Sequence, residues 1–152
     1  MRMKTVMVAS NGKISNNSLA SIFRCTGRFE IVGIEGKPAT ENALELQPDI
    51  LVFEITKTEE EYIDVLGNIQ QNCPWTKIIL VLRNPVSLEI LRKLLLLCHG
   101  YIQGRVRPGV LRKAADLACN SDYFFLIGNS TEFKSKMKET FQSVAAEISC
   151  IN

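Results

Sequence analysis

DILVFEI, at residues 49–55, is an apolar run that follows Pro48 and contains one inner carboxylate, Glu54. A run of this length, bounded by proline and polar residues, is typical of a central strand in a parallel sheet, because such a strand is covered on both faces. Glu54 lies at the carboxyl end of this predicted strand. Doubly wound sheets hold their binding sites at that end, so the sequence predicts a site around Glu54.

Short apolar runs and helical patterns alternate on both sides of this strand as far as about residue 120. The five predicted strands cover residues 5–9, 30–34, 49–55, 78–82 and 101–102. A segment with apolar residues at helical spacing follows each strand, and the first has Asn17 or Ser18 as its N-cap. Repeated strand–helix units predict a parallel sheet with helices on both faces and right-handed crossovers. We therefore expect an α/β, flavodoxin-like, doubly wound domain with a five-stranded parallel sheet in the order 2-1-3-4-5.

The chain changes character after residue 121. We predict a domain at residues 1–121 and a C-terminal extension at residues 122–152. The extension has an aromatic and apolar segment at residues 123–127, and then a helical pattern with one narrow apolar stripe formed by Phe133, Met137, Phe141, Val144 and Ile148. The pattern leaves three alternatives open: a helix folded back on its own domain, a helix that pairs with a second copy, or a mobile end.

Composition and charge argue against several classes of protein. Lys and Arg number 18 against 16 Asp and Glu, and a net charge of +2 gives no reason to expect a nucleic acid or an anionic membrane as a partner. The five cysteines are scattered without a C-x-x-C pair and His99 is the one histidine, so no metal site is expected. The apolar run after the basic start is too short for a signal peptide, and a membrane span would need about 20 apolar residues. We expect a cytoplasmic protein with reduced cysteines and no cofactor.

The sequence gives little support for an enzyme. It contains neither of the glycine-rich phosphate motifs G-x-G-x-x-G and G-x-x-x-x-G-K-[ST], and no G-x-S-x-G motif. Cys98 and His99 are adjacent, and neighbouring side chains at a helix end point apart, so we expect a structural role for both. The turn at residues 10–12 and the basic run at residues 105–113 are weak candidates for anion sites, with an ordinary turn and a solvated surface as the alternatives.

Several short stretches occur in an order and spacing typical of one family. They are EIVG at residues 30–33, ALELQPD at residues 43–49, CPWTKII at residues 73–79, GYI at residues 100–102, and Pro108 with Leu111 in the last helix before residue 120. On these stretches the chain from Lys4 to about Asn120 resembles a response-regulator receiver domain, of the type found in LuxR/NarL-like regulators.

The resemblance implies a site that transfers a phosphoryl group to an aspartate. In the family two acidic residues and this aspartate hold Mg²⁺, while a hydroxyl residue and a lysine bind the phosphoryl oxygens, and each group acts electrostatically. The corresponding positions here are Ser10 and Asn11 for the acidic pair, Glu54 for the aspartate, Leu82 for the hydroxyl residue and Gly104 for the lysine. Every position departs from the pattern, and the Met-Pro loop of the family is replaced by residues 56–59. Because Mg²⁺ prefers carboxylates and one remains, we expect a degenerate site that has lost phosphorylation.

An ion pair is a further hypothesis about this site. Arg83 follows Leu82 at the end of the neighbouring strand, so its guanidinium can reach the Glu54 carboxylate and take the place of Mg²⁺ and the lysine. Such a pair would fix one conformation. The alternative is that both side chains point to solvent and contribute little.

The resemblance also implies a signalling face formed by the fourth helix, the fifth strand and the fifth helix. Tyr101 corresponds to the switch aromatic of the family, with a half-buried strand residue as the alternative. The helix predicted from Leu88 to Leu97 carries more apolar residues than one buried stripe requires. This excess favours contact with a protein partner or a homodimer contact, there and through the C-terminal helix, unless the helix is simply well buried.

These observations predict an atypical, phosphorylation-independent receiver-like signalling domain that acts through protein–protein contacts and is not an enzyme. Where a DNA-binding domain is joined to it, the output would be transcription, although this chain itself shows no helix-turn-helix pattern. The alternative is a sensor of a small molecule or anion that uses the vacated pocket around Ser10, Asn11, Glu54 and Arg83.

Overall fold

The computed structural model describes residues 3–57, 60–120 and 125–127, the last three by their backbone. Within these residues one sheet contains seven strands: β1 Lys4–Ser10, β2 Lys13–Ile14, β3 Phe29–Ile31, β4 Ile50–Ile55, β5 Lys77–Leu82, β6 Gly100–Gln103 and β7 Phe125–Ile127. The helices of the same residues are α1 Ser18–Arg24, α2 Ala39–Leu46, α3 Glu61–Asn72, α4 Leu88–Leu95 and α5 Pro108–Asn120.

The order of the parallel strands is the one predicted. β3, β1, β4, β5 and β6 lie side by side, which is the order 2-1-3-4-5 when the hairpin strand β2 is left out of the count. The flavodoxin-like, doubly wound α/β fold is therefore confirmed. The sheet is larger than the five strands predicted, since β2 pairs with β1 and β7 pairs with β6.

The strand β2 is the return arm of a tight hairpin. β1 and β2 pair antiparallel, Ser10 opposite Lys13, and the two residues between them, Asn11 and Gly12, have φ of 51° and 85°. Positive φ at both central positions is the geometry of a type I′ turn, which Asn-Gly favours and which matches the twist of the strands it joins. The Asn-Gly dipeptide therefore folds the chain back at the carboxyl end of β1, where the sequence predicted only an interruption.

Two apolar clusters cover the two faces of the sheet. Alternate residues of β4 divide between them: Leu51, Phe53 and Ile55 pack on the side of α2, α3 and α4, whereas Ile50 and Val52 pack on the side of α1 and α5. All six residues of β4 are buried, which confirms that DILVFEI contains a central strand. By the same alternation Glu54 belongs to the α1 side of the sheet.

The helix α4 ends earlier than predicted and buries most of its apolar residues. It ends at Leu95 instead of Leu97, because the backbone then turns toward β6 and the His99 N–H pairs with the Ile78 carbonyl at 2.8 Å. Leu91, Leu94 and Leu95 are buried, and Ile90, Leu96 and Leu97 pack against the same core cluster. Leu88 remains, at 50 % exposed, so the expected excess of apolar surface on this helix is largely taken up by the core.

Part of the C-terminal extension joins the sheet. β7 lies parallel to β6, with Gly100, Tyr101 and Ile102 as the register partners of Phe125, Leu126 and Ile127. The amphipathic helix predicted from residue 131 onward lies outside the described residues. Among the helices of the described ranges, none has the length and apolar character needed to cross a membrane.

Candidate functional site

Glu54 lies at the carboxyl end of β4, and its carboxylate is enclosed by three donors. Ser10 Oγ donates to Oε1 at 3.0 Å, Asn17 Nδ2 reaches the same oxygen at 3.4 Å, and Arg83 Nε donates to Oε2 at 2.6 Å. The Glu54 side chain is 7 % exposed. A charge so far from water requires hydrogen-bonded partners, and both oxygens have them.

The strand register explains why these partners meet. Ser10 of β1 is directly beside Glu54 of β4, and Leu82 of β5 is beside Ile55. The next residue, Arg83, continues this pairing because its N–H donates to the Ile55 carbonyl at 3.1 Å. Its side chain is thereby held next to Glu54, with 30 % of its surface exposed. The structure thus places Arg83 and Glu54 in direct contact.

Asn17 connects this carboxylate to a helix. Its Oδ1 accepts the Leu19 N–H at 3.0 Å as the N-cap of α1, while its Nδ2 lies 3.4 Å from Glu54 Oε1. The sequence pattern predicted Asn17 or Ser18 as the N-cap of the first helix, and Asn17 was not predicted to belong to the site. The missing information was the face of β4 on which Glu54 lies, since α1 packs on that face.

A second set of hydrogen bonds, centred on Thr56, fixes the loops beside Glu54. Asn11 Nδ2 donates to Thr56 Oγ1 at 2.6 Å, and the Thr56 N–H donates back to Asn11 Oδ1 at 3.0 Å. Asn84 Nδ2 donates to the Thr56 carbonyl at 2.8 Å. The β1–β2 turn and the segments that follow β4 and β5 are therefore joined by direct hydrogen bonds.

Leu82 and Gly104, the other two positions that the resemblance implies for the site, take no part in these hydrogen-bond networks through their side chains. Leu82 is fully buried in the core cluster that faces α2, α3 and α4. Gly104 has φ of 82° and donates its backbone N–H to the Leu82 carbonyl at 2.7 Å. Neither has a polar side-chain group to offer to Glu54. The structure therefore unites Ser10, Glu54 and Arg83, and leaves Leu82 and Gly104 in structural roles.

Magnesium does not fit the donor set around Glu54. Mg²⁺ sites in proteins use carboxylates and water. Here Glu54 contributes the carboxylate, while Ser10 and Asn17 are neutral, and the Arg83 guanidinium occupies Oε2 with its own positive charge. Over the whole described part of the chain, no group of three or more His, Cys, Asp or Glu residues is placed to hold a metal ion.

Tyr101, which the sequence resemblance aligns with the switch aromatic of receiver domains, is fully buried in β6. Its hydroxyl donates to Gln103 Oε1, two residues along the same strand and also buried. Burial, and secondarily the nearby Cys98 thiol, raises the pKa of Tyr101 above its usual value. Tyr101 is therefore more deeply buried than the half-buried strand residue considered as the alternative, and its ring lies inside the domain.

Cys98 and His99 do not form a nucleophile and its base. His99 Nδ1 accepts the Ile78 N–H at 3.0 Å, so this nitrogen serves the strand pairing. Burial raises the pKa of the Cys98 thiol to about 12, which keeps it protonated and unreactive near neutral pH. Both residues have the structural contacts expected for them.

Comparison with known proteins gives matches to solved structures. The receiver domain of RcsB from Salmonella enterica serovar Typhimurium matches with a TM-score of 0.59 and 18% identity over 83% of this chain and 94% of that one. A LuxR-family response regulator from Aurantimonas sp. SI85-9A1 matches with a TM-score of 0.61 and 16% identity over 91% and 97%. A CheY-like receiver domain from Methanospirillum hungatei JF-1 matches with a TM-score of 0.60 and 16% identity over 80% and 97%.

The sequence itself matches no family model and no curated protein. Identities below one fifth establish the fold and nothing finer. The three solved structures named above are nevertheless response regulators or their receiver domains, the class that the short sequence stretches predicted. The chain has the flavodoxin-like fold of those receiver domains.

Proposed function

We propose that this chain is a receiver-like signalling domain that works without phosphorylation and acts through protein–protein contacts. The observation that carries this proposal is the bond from Arg83 Nε to Glu54 Oε2 at 2.6 Å, at the strand end where a receiver domain would hold its aspartate. The arginine supplies within the chain the positive charge that Mg²⁺ and the lysine supply in the family. The domain is not an enzyme on this proposal.

The surroundings of Glu54 support a single fixed conformation. Ser10 and Asn17 engage the second carboxylate oxygen, and the Asn11–Thr56–Asn84 contacts join the adjoining loops. Here they are already bonded to one another, and Tyr101 is already buried. The Glu54 carboxylate carries less charge than a phosphoryl group, so we propose a permanent state and not a switch.

The surface that we propose for protein contacts rests on the apolar pattern of two helices as well as on the resemblance. Helix α4 and the predicted C-terminal helix form the proposed contact, with a partner protein or a second copy of the chain. On α4 the residue available for this contact is Leu88, since the other apolar residues of the helix pack into the core. A single exposed leucine supports a small contact area, which would need additional residues around it. Where a DNA-binding domain follows, the contact would regulate transcription.

The sensor hypothesis is the second candidate, and the contacts of Arg83 weigh against it. An anion in the vacated pocket would have to compete with Glu54 for the guanidinium and would lie beside a carboxylate. A rise in melting temperature caused by a small anion, and lost in Arg83→Met, would favour the sensor over the fixed domain.

Treatment with acetyl phosphate and Mg²⁺ tests the proposed loss of phosphorylation. Because the acidic pair, the hydroxyl residue and the lysine are all replaced, we expect intact-mass spectrometry to show no added phosphoryl group. Glu54→Asp is a matched variant, which restores the acceptor alone and should also remain unmodified. An active receiver domain treated in parallel confirms the reagent. Stoichiometric phosphorylation of the wild-type chain would refute the proposal.

A further inference from the structure

The tight turn between β1 and β2 contains a chemically labile dipeptide. Asn11-Gly12 is the one Asn-Gly pair of the chain, and both residues are partly exposed. An asparagine followed by glycine loses its side-chain amide in water faster than one followed by a bulkier residue. Glycine has no side chain that hinders the attack of its backbone nitrogen on the asparagine Cγ. The hairpin therefore presents to water the asparagine whose sequence context most favours this reaction.

The hydrogen bonds around the turn act on the reaction in two ways. Within the described residues the Gly12 N–H donates no hydrogen bond, so the attacking nitrogen is not engaged. The Thr56 N–H donates to Asn11 Oδ1 at 3.0 Å, at the oxygen that gains negative charge when the nitrogen adds to Cγ. The leaving nitrogen is restrained, because Asn11 Nδ2 donates to Thr56 Oγ1 at 2.6 Å. Ring closure requires this last bond to open, so the Thr56 hydroxyl slows the reaction.

The reaction needs water as its only co-reactant. A bond forms between the Gly12 nitrogen and Asn11 Cγ, the Cγ–Nδ2 bond breaks, and the Gly12 amide proton leaves with the side-chain nitrogen as ammonia. Water then opens the cyclic imide, and its proton returns to the Gly12 nitrogen. Opening at Cγ leaves an aspartate at position 11, whereas opening at the main-chain carbonyl leaves an isoaspartate, whose backbone is one methylene longer.

An aspartate at position 11 fits the contacts already present. Its carboxylate can still accept the Thr56 N–H, and the Thr56 hydroxyl can donate to it instead of accepting. The position adjoins the ion-paired site, because the Asn11 N–H donates to the Glu54 carbonyl at 2.8 Å. An isoaspartate lengthens the two-residue turn and does not preserve it. The first product therefore adds a negative charge next to Glu54 within an intact hairpin.

We propose that Asn11 is a site of spontaneous deamidation, restrained by the Thr56 hydroxyl, through which the chain gains one negative charge beside Glu54. The inference goes beyond the proposed signalling function and does not depend on it, because it rests on the Asn-Gly turn and its hydrogen bonds alone.

Incubation of the full chain at mildly alkaline pH tests the site. Peptide mapping by mass spectrometry follows the conversion of each asparagine, and Asn11→Gln is the negative control. We expect position 11 to be converted several-fold faster than any other asparagine, for example Asn16, which precedes a residue with a side chain. Conversion at position 11 that is no faster than at the other asparagines would overturn the proposal.

A second comparison tests the restraint. Thr56→Val removes the hydroxyl and retains the backbone N–H, so conversion at position 11 should become several-fold faster. Asn84→Ala removes the bond to the Thr56 carbonyl, leaves both bonds to the Asn11 amide in place, and should match the wild-type rate. An unchanged rate in Thr56→Val would refute the restraint, and so would equal acceleration in the two variants, which would indicate general loosening. Thr56→Ala replaces Thr56→Val if circular dichroism shows that the valine variant does not fold.

Discussion

The carboxyl end of β4 holds the ion-paired site of the proposed function, and the outer surface of α4 is its proposed protein contact. The structure supports the first region with more contacts than the second. Around Glu54 each carboxylate oxygen has a donor from the chain itself. On α4 the apolar residues are divided between the core and one exposed position, Leu88. A buried charge needs specific hydrogen-bonding partners within the fold, whereas an apolar side chain on a helix can pack against any neighbouring apolar surface.

Because of this difference, the sequence restricts the contacts of a buried charge more tightly than those of an apolar helix. A carboxylate at the end of an apolar strand has few possible partners, and the ends of the adjacent strands supply them. A leucine-rich helix gives no such restriction, because its pattern is compatible with an exposed patch and with a well-packed core.

Truncation of a buried leucine on α4 should have the largest effect. Leu94 is 2 % exposed, and Leu94→Ala leaves a cavity that should cost about 3 kcal/mol of unfolding free energy. Leu88→Ala on the same helix is the matched control and should cost less than about 0.5 kcal/mol. Urea unfolding monitored by circular dichroism measures both. Similar losses at the two positions would show that α4 is not oriented as described.

The hairpin turn beside the site should be the next most sensitive position. Asn11→Ala removes both side-chain bonds to Thr56 and places a Cβ-bearing residue without a polar side chain at φ of 51°, so we expect a loss of about 2 kcal/mol.

Asn11→Gly is the control for the turn. Glycine loses the same two hydrogen bonds but accepts positive φ, so it should cost about 1 kcal/mol less than alanine. Equal losses in the two variants, measured by urea unfolding, would mean that the turn conformation contributes nothing to stability.

Leu88→Glu should have the smallest effect on stability, within about 0.5 kcal/mol, because the side chain is half exposed. Its effect should instead be on association. If α4 forms the protein contact, a charge at this position weakens self-association in sedimentation equilibrium. Lys93→Gln, on the last turn of the same helix, lowers the net charge by the same one unit and is the control for the change in charge. Association that is unaffected by Leu88→Glu would remove α4 from the proposed contact.

The sequence predicted the fold more completely than the site. The central strand and the strand order follow from apolar periodicity and from the alternation of elements, which local sequence records directly. The hairpin formed by β2 was missed, although Asn11-Gly12 is the dipeptide that most favours such a turn. β7 was assigned to an extension, because three apolar residues do not reveal which strand they will pair with.

The site depended on contacts that only the register determines. Arg83 was identified because it directly follows a strand that neighbours β4, so sequence position was enough. Asn17 was not identified as a partner of Glu54, because that contact depends on the face of the sheet covered by α1. Thr56 and Asn84 were missed as well, since their bonds join two loops whose relative position the sequence does not encode locally.

A double-mutant cycle on Glu54 and Arg83 tests the central claim most directly. Arg83→Met leaves a buried carboxylate without its charged partner and should lower the free energy of unfolding by about 2 kcal/mol. The loss should be smaller than for a fully buried ion pair, because the arginine is 30 % exposed. Glu54→Gln and the double variant complete the cycle, measured by urea unfolding. We predict a coupling energy of about 1.5 kcal/mol, above the range of a solvent-exposed pair. A coupling energy indistinguishable from zero would contradict the account of a site held in one state by its own ion pair.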